Sequence, residues 1–240
     1  KVMQNKWYWI FRNIIFGPFL RVYNRPEIVG VDNIPSTGPA IIASNHQSVM
    51  DSFFLPLLCP RQITFLAKAE YFNGTTPVGR LQKWFFTNVG QRPVNRTSAS
   101  AGQDALNTAV EVLNDGDLFG IYPEGTRSPD GRLYKGKTGV ARIALASGAQ
   151  VIPVAMIGTR DVNPIGTWFP RPGKVRVKVG DPIYPIEFVN NRGLERDSYE
   201  AIRALTDHIM RQLQQLSGQE YVDVYAAEVK KALAEGGDSS

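Results

Sequence analysis

Short apolar runs alternate with amphipathic stretches along this chain, and the alternation predicts an α/β fold. Runs and patterns of strand length lie at residues 26–31, 40–43, 63–67, 118–122, 151–157 and 174–179. Apolar residues at helical spacing predict helices at residues 79–86, 98–113, 138–146, 197–216 and 221–233. Strands that alternate with helices favour a central mixed, largely parallel sheet with right-handed crossovers, flanked by helices.

Residues 1–25 form a segment of their own with an amphipathic pattern. Trp7, Phe11 and Ile14 recur at helical spacing, and basic residues interrupt an otherwise strongly apolar face. The uninterrupted apolar run is far shorter than the ~20 residues that span a bilayer. The pattern therefore predicts a helix lying in the interface of an anionic membrane, and Gly17-Pro18 is expected to kink or end it. The alternative is a helix packed on its own domain or on a second copy.

Residues 26–218 are predicted to form one domain, followed by a helix and a polar tail at 219–240. A hydrophobic content of 43% over 240 residues allows a full core and excludes wholesale disorder. Cys59 is the only cysteine, which excludes an internal disulfide or a thiol metal cluster and indicates a reducing compartment. The formal net charge of +5 favours anionic partners. Because the basic residues are scattered and match no nucleic-acid-binding module, a membrane surface or a phosphorylated substrate is favoured over nucleic acid.

A polar cluster directly follows the apolar run at 40–43. His46 lies here, five residues before Asp51, where a helix is predicted to begin. Open α/β sheets keep their sites at such carboxyl ends of strands. A neutral imidazole can take a proton near pH 7, and a carboxylate behind it can orient it and stabilise the cation. Alternatively, Ser48 to Asp51 forms a capping box, in which the carboxylate only satisfies backbone amides.

A second polar loop follows the run at 118–122 and carries Glu124, Gly125, Thr126 and Arg127. A guanidinium can grip phosphate oxygens in a bidentate manner, and glycine lets backbone amides approach an anion. Arg96, at the end of another extended piece, offers a second guanidinium for the same phosphate. The alternatives are a surface turn at 128–131 and a solvated arginine. Together the three loops hold a base, an anion clamp and a carboxylate, which the acylation of a hydroxyl beside a phosphate needs.

These loops resemble, in order, the sequence blocks of the glycerolipid acyltransferases, the family of the 1-acylglycerol-3-phosphate acyltransferases. Residues 45–51 match the His-x4-Asp block, and residues 90–96 end on the arginine of the second block. Residues 122–128 match the third block closely, and residues 151–154 match the proline-bearing fourth block. The resemblance runs from about Val29 to Ile183. It departs from the family before Arg96, where many relatives carry apolar residues and an acid.

The resemblance implies transfer of a fatty acyl chain from acyl-CoA or acyl-carrier protein to the free hydroxyl of 1-acylglycerol-3-phosphate, giving phosphatidic acid. His46 would be the general base, oriented by Asp51, and no acyl-enzyme would form. Arg96 and the loop residues 124–127 would hold the phosphate and glycerol of the acceptor. The acyl-pocket candidates are Val151, Ile152, Pro153 and Val154. Another lysophospholipid or glycerol-3-phosphate remains an alternative acceptor.

No metal and no cofactor are expected beside the thioester co-substrate. The expected location is peripheral or monotopic, on the cytoplasmic face of a membrane, with the lysophospholipid acceptor and the anionic surface as partners.

A competing motif spans Gly131 to Thr138, which satisfies the phosphate-loop pattern G-x-x-x-x-G-K-[ST]. It indicates a nucleotide-binding protein as the alternative from another functional class. A true phosphate loop starts directly at the end of a strand, whereas this glycine lies nine residues after Tyr122. No convincing strand-end aspartate for Mg²⁺ accompanies it, and the pattern therefore favours the acyltransferase function.

Overall fold

The computed structural model describes residues 6–69, 76, 80, 83–84, 87, 90–94, 100–167 and 169–237. The strands in these residues are β1 (Glu27–Val29), β2 (Ala40–Ser44), β3 (Ile63–Lys68), β4 (Arg92–Val94), β5 (Leu118–Ile121), β6 (Leu133–Tyr134), β7 (Gln150–Ile157), β8 (Arg176–Val179) and β9 (Tyr221–Val222). The helices are α1 (Lys6–Ile10), α2 (Phe16–Tyr23), α3 (Asp51–Leu58), α4 (Ala101–Asn114), α5 (Gly139–Ser147), α6 (Thr159–Val162), α7 (Pro185–Asn190), α8 (Tyr199–Ser217) and α9 (Ala226–Gly237). A π-helical turn at Phe11–Ile15 joins α1 to α2, and a 3-10 turn spans Val31–Asn33.

Seven strands form the central sheet, in the order β1-β8-β7-β2-β5-β3-β4. Within the described part of this sheet only β7 and β8 pair antiparallel, and the other neighbours are parallel. β6 and β9 form a separate parallel ribbon. The predicted strands and the mixed, largely parallel sheet are thus confirmed.

β2 lies in the middle of the sheet and all five of its residues are buried. Ile41 and Ala43 face a core formed with α4, α5 and α8. Ala40 and Ile42 face a second core, to which α2 and α3 contribute. A parallel strand that is covered on both faces needs a continuous apolar run, which explains the sequence pattern here. The segment 45–51, which carries His46 and Asp51, therefore begins where β2 leaves the two hydrophobic cores.

The amino-terminal helix does not end at Gly17-Pro18, because α2 runs through both residues to Tyr23. The π-helical turn immediately before this pair changes the backbone register. Gly17 then lies so close to the carbonyl oxygen of Arg12 that any Cβ would overlap it. Pro18, which has no N–H, is accommodated in the first turn of α2, where a missing donor costs little.

Two further helix predictions have different outcomes. The helix predicted at 221–233 is wrong at its start, because Tyr221 and Val222 form β9 and the helix begins at Ala226. Aromatic and β-branched residues favour extended backbone, and here they pair with β6. The helix predicted at 79–86 falls largely outside the described residues.

In the part of the chain that the structure describes, no helix combines the length and the apolar character needed to cross a membrane.

Candidate active site

His46 and Asp51 meet at the carboxyl end of β2. The imidazole Nδ1 lies 3.0 Å from Asp51 Oδ2. The same oxygen accepts hydrogen bonds from the backbone N–H groups of Gln47 at 2.6 Å and Ser48 at 2.8 Å. Asp51 is fully buried, whereas the His46 side chain is 17% exposed. The carboxylate therefore does both things that the sequence allowed: it satisfies loop amides and it contacts the imidazole.

Only half of a capping box forms at this helix start. Asp51 accepts from the Ser48 N–H, but Ser48 Oγ accepts from the Met50 N–H at 3.2 Å instead of from the amide of Asp51. The one hydrogen of Ser48 Oγ faces the backbone and side-chain oxygens of Asn163, each 3.0 Å from Oγ. Ser48 thus ties the loop to the residues that follow α6.

Tyr122, at the end of β5, lies flat against the His46 ring. The two ring centroids are 4.0 Å apart and the planes differ by 12°. Phe65 also stacks on Tyr122, with ring centroids 5.5 Å apart, and a Cβ at position 120 would overlap the Phe65 ring. Burial, and then the nearby Asp51 carboxylate, raise the pKa of the Tyr122 hydroxyl far above its usual range. Tyr122 therefore stays uncharged, and its stacked ring fixes the plane of the imidazole.

The sequence pattern did not predict this contact of Tyr122. The available signal was an aromatic residue at the end of a strand that neighbours the strand leading to His46.

Glu124 is fully buried and points into the protein. Its Oε2 accepts from the backbone N–H of His46 and its Oε1 from that of Tyr134, both at 3.0 Å. Burial outweighs these two bonds and raises the pKa of the carboxyl group to about 7. Glu124 is not among the described residues that line the cavity beside His46. Its placement therefore does not support the predicted contact with the acceptor, and it ties the His46 loop to β6 instead.

The raised pKa of Glu124 predicts a pH-dependent loss of stability. The unfolded chain releases this proton near pH 4.5, and the folded protein holds it up to about pH 7. Rising pH across this window therefore removes stability, by about 3 kcal/mol. The glutamine of Glu124→Gln cannot ionise. As pH rises across this window, the free energy of unfolding of wild type should therefore fall relative to that of the variant. Urea unfolding of both proteins at about pH 4.5 and about pH 7.5 measures it, and parallel pH profiles would contradict it.

A cavity of about 1350 Å³ opens beside His46 and Tyr122. Part of its wall is apolar and comes from the amino-terminal helices and α3, through Tyr8, Phe11, Phe16, Leu20, Phe53 and Leu57. Another part is cationic: Arg127 comes from the loop after β5, Lys137 from the connection between β6 and α5, and Arg142 from α5. One cavity can therefore hold an apolar chain and an anionic group beside the same imidazole.

The loop residues Gly125, Thr126 and Arg127, which the sequence suggested as substrate contacts, all line this cavity. Gly125 has a left-handed φ of +74°, and a Cβ there would lie only 3.2 Å from the Nζ atom of Lys137. Glycine thus lets the Lys137 side chain lie against the loop. Lys137 was not predicted as a site residue, although the phosphate-loop pattern had drawn attention to it.

Other predicted site residues lie elsewhere. Arg96 falls outside the described residues. Val151, Ile152, Pro153 and Val154 belong to β7, where they are buried between the two cores. They are not among the described residues that line the cavity, so their placement does not support an acyl-pocket role.

The segment Gly131 to Thr138 does not form a phosphate loop. Leu133 and Tyr134, in its middle, form β6 and are fully buried. The Tyr134 N–H is bound to Glu124, and the Lys137 N–H donates to the carbonyl oxygen of Pro123 at 2.8 Å. A strand with buried side chains cannot wrap around a phosphate, and the nucleotide-binding alternative is therefore not supported.

Residues 25–157 match the family model described as Acyltransferase. The chain is 32% identical over 177 residues to a chloroplastic 1-acyl-sn-glycerol-3-phosphate acyltransferase of Arabidopsis thaliana, covering 73% of this chain and 47% of that protein. It is 27% identical over 201 residues to the 1-acyl-sn-glycerol-3-phosphate acyltransferase of Bacillus subtilis, covering 82% of this chain and 87% of that protein. The chain spans about half the length of the chloroplastic relatives from Arabidopsis thaliana and Brassica napus.

A solved structure has a similar fold. It is the crystal structure of the 1-acyl-sn-glycerophosphate (LPA) acyltransferase PlsC from Thermotoga maritima, with a TM-score of 0.62 and 29% sequence identity. The alignment covers 82% of this chain and 75% of that chain.

Proposed function

We propose that this chain, which belongs to the acyltransferase family, transfers a fatty acyl chain from an acyl-thioester to the free hydroxyl of 1-acylglycerol-3-phosphate, giving phosphatidic acid. The observation that carries this proposal is the cavity, whose lining joins His46 to apolar and cationic walls. Both substrates combine an apolar chain with an anionic head. The names of the relatives from plastids and bacteria support the same choice of acceptor.

In the proposed reaction His46 is the general base. Asp51 holds Nδ1, so Nε2 is the ring nitrogen available to the cavity. It would take the proton of the acceptor hydroxyl as the hydroxyl oxygen attacks the thioester carbonyl carbon, and Asp51 would stabilise the imidazolium. Collapse of the tetrahedral species would break the C–S bond, and the departing sulfur would receive the proton from His46.

We further propose that no acyl-enzyme forms and that no cofactor is needed beside the thioester donor. The thiolate is the nucleophilic form of a cysteine. Cys59, the only cysteine in the chain, is buried, and burial raises the pKa of its thiol to about 11. It is therefore held as an unreactive thiol within the core beside α3.

The acceptor phosphate would be bound by the cationic wall. Arg127 can hold two phosphate oxygens at once through its planar guanidinium. Lys137 and Arg142 line the same cavity and add positive charge. Arg96 is proposed as a further phosphate ligand on the strength of the sequence alone. Glu124 would act indirectly, by holding the His46 loop and β6 together.

A product analysis tests this function. The purified protein is incubated with a panel of acyl-CoA and acyl-carrier-protein donors, each with 1-acylglycerol-3-phosphate, another lysophospholipid or glycerol-3-phosphate, and products are identified by mass. We expect phosphatidic acid. Acylation of a different acceptor alone would reassign the substrate. The absence of any acylated product would refute the proposed function.

We also propose that the amino-terminal helix docks the enzyme on the cytoplasmic face of an anionic membrane. One side of this helix packs on the domain: the Tyr8 hydroxyl donates to the Pro56 carbonyl and Arg12 Nε to the Leu57 carbonyl, both at 2.9 Å. The same helical segment also exposes large apolar side chains that do not line the cavity, namely Trp9, Ile14, Ile15, Phe19 and Val22. An exposed apolar patch of this kind suits insertion into the lipid interface.

We expect the double variant Trp9→Ser, Ile14→Ser to bind anionic vesicles at least about tenfold more weakly. Both side chains are about half exposed, at 49% and 59%, and burial of each in lipid contributes roughly 1.5–3 kcal/mol. Neither is among the described residues that line the cavity. Co-sedimentation measures the effect. Leu233→Ser, an exposed apolar residue of α9, is the matched control, and equal weakening in both proteins would refute the membrane assignment.

A further inference from the structure

The carboxyl-terminal segment 219–237 is built into the candidate site. Gln219 bridges two loops: its Oε1 accepts from Asn45 Nδ2 at 2.7 Å, and its Nε2 donates to the Gly131 carbonyl oxygen at 2.6 Å. β9 then pairs with β6, whose Tyr134 N–H holds the Glu124 carboxylate. The segment therefore contacts the residue before His46 and the strand that anchors Glu124.

Lys230, on α9, continues this connection into the loop after β5. Its Nζ donates to Thr126 Oγ1 at 2.7 Å, although the two residues are 104 positions apart. Burial lowers the pKa of the Lys230 ammonium, the Arg127 guanidinium lowers it further, and the Glu124 carboxylate opposes both. Lys230 is thus close enough to Arg127 and Glu124 to interact electrostatically with both.

The bond has a chemical consequence for Thr126. A hydroxyl has one hydrogen to donate and two lone pairs that accept. An ammonium only donates, so Thr126 Oγ1 must accept from Lys230. Its own hydrogen is then available to another acceptor, and Thr126 lines the cavity next to Arg127. An anionic oxygen such as that of a phosphate fits this arrangement of donors.

We propose that Lys230 is a positioning residue for the phosphate of the acceptor. It holds Thr126 as a donor toward the cavity and adds positive charge behind Arg127. This inference rests on the proposed function. Lys230 lies outside the residues 25–157 that match the family model, so α9 supplies a determinant of acceptor binding that the matched residues do not contain.

The test compares Lys230→Met and Lys230→Arg with the control Lys231→Met. Lys231 is the next residue of α9, and its side chain is 78% exposed. We expect Lys230→Met to raise the KM for 1-acylglycerol-3-phosphate about tenfold, as loss of a charged hydrogen bond predicts, with little change in kcat. Lys230→Arg should retain most of the affinity, and Lys231→Met should match wild type. Melting temperatures of all three variants identify any that are merely unfolded.

Direct binding separates this inference from the proposed reaction. Calorimetric titration with 1-acylglycerol-3-phosphate, without any donor, should show the same tenfold weakening for Lys230→Met. If the wild-type protein binds this lipid but makes no phosphatidic acid, the proposed function is refuted, and weaker binding by Lys230→Met would still support the role of Lys230. An unchanged affinity in Lys230→Met, an equal loss in Lys231→Met, or a loss confined to kcat and melting temperature would overturn the role of Lys230.

Discussion

We expect His46→Ala to slow acyl transfer by about 10²- to 10⁴-fold, the usual contribution of a general base. Without the imidazole the acceptor hydroxyl must lose its proton to solvent as it attacks. The fold should survive, because the backbone N–H of His46 that binds Glu124 remains in the variant. Initial rates of phosphatidic acid formation, together with circular dichroism, measure both effects.

His208→Asn is the matched control, since the chain has two histidines. His208 lies on α8 with its ring 4.9 Å from that of Phe188, and it is not among the described residues that line the cavity. Its replacement should leave the rate of acyl transfer near that of wild type. A rate within about tenfold of wild type in His46→Ala would show that another group is the base.

The meeting of the two polar loops was predictable from the sequence. The apolar runs before His46 and before Glu124 are typical of buried parallel strands, and β2 and β5 are adjacent in the sheet. Parallel neighbours place their carboxyl ends at the same edge, so the residues that follow them are brought together. The position of each polar cluster directly after an apolar run was enough for this inference.

The direction of individual side chains was not predictable in the same way. Glu124 faces inward because two N–H groups, from His46 and from Tyr134, converge on its carboxylate. These donors lie 78 and 10 residues away along the chain, and no local pattern reports their position. Lys230 reaches Thr126 across a still larger separation. Contacts of this kind arise from the packing of the whole domain.

Very short strands could also not be predicted from the periodicity of apolar residues. β6 and β9 have two residues each, which is too short for an alternating pattern to be recognised. Tyr221 and Val222 are extended because they pair with Leu133 and Tyr134. This ribbon brings the carboxyl-terminal segment to the site. The prediction of a continuous helix from residue 221 therefore did not show that this segment contacts the site.

We expect Asp51→Asn to lower kcat by about 10²- to 10⁴-fold, because a neutral amide can neither stabilise the imidazolium nor enforce one tautomer of His46. The variant should also be less stable. Asp51 Oδ2 accepts from His46 Nδ1 and from the N–H groups of Gln47 and Ser48, and it is buried. Replacing the charge weakens each of these bonds, which contribute roughly 1.5–3 kcal/mol when one partner is ionised. Steady-state kinetics and urea unfolding measure the two effects separately.

Ser48→Ala separates the orientation of His46 from the capping of α3. Ser48 Oγ binds the Met50 N–H and Asn163 rather than the imidazole, so its loss should cost about 1 kcal/mol of stability, as for a lost cap. Its effect on kcat should be small. If Asp51→Asn and Ser48→Ala lost similar stability and both kept near-normal kcat, the carboxylate would be a cap alone. A large fall in kcat for Asp51→Asn only would show that the buried charge acts on His46, because the two variants disturb the same helix start.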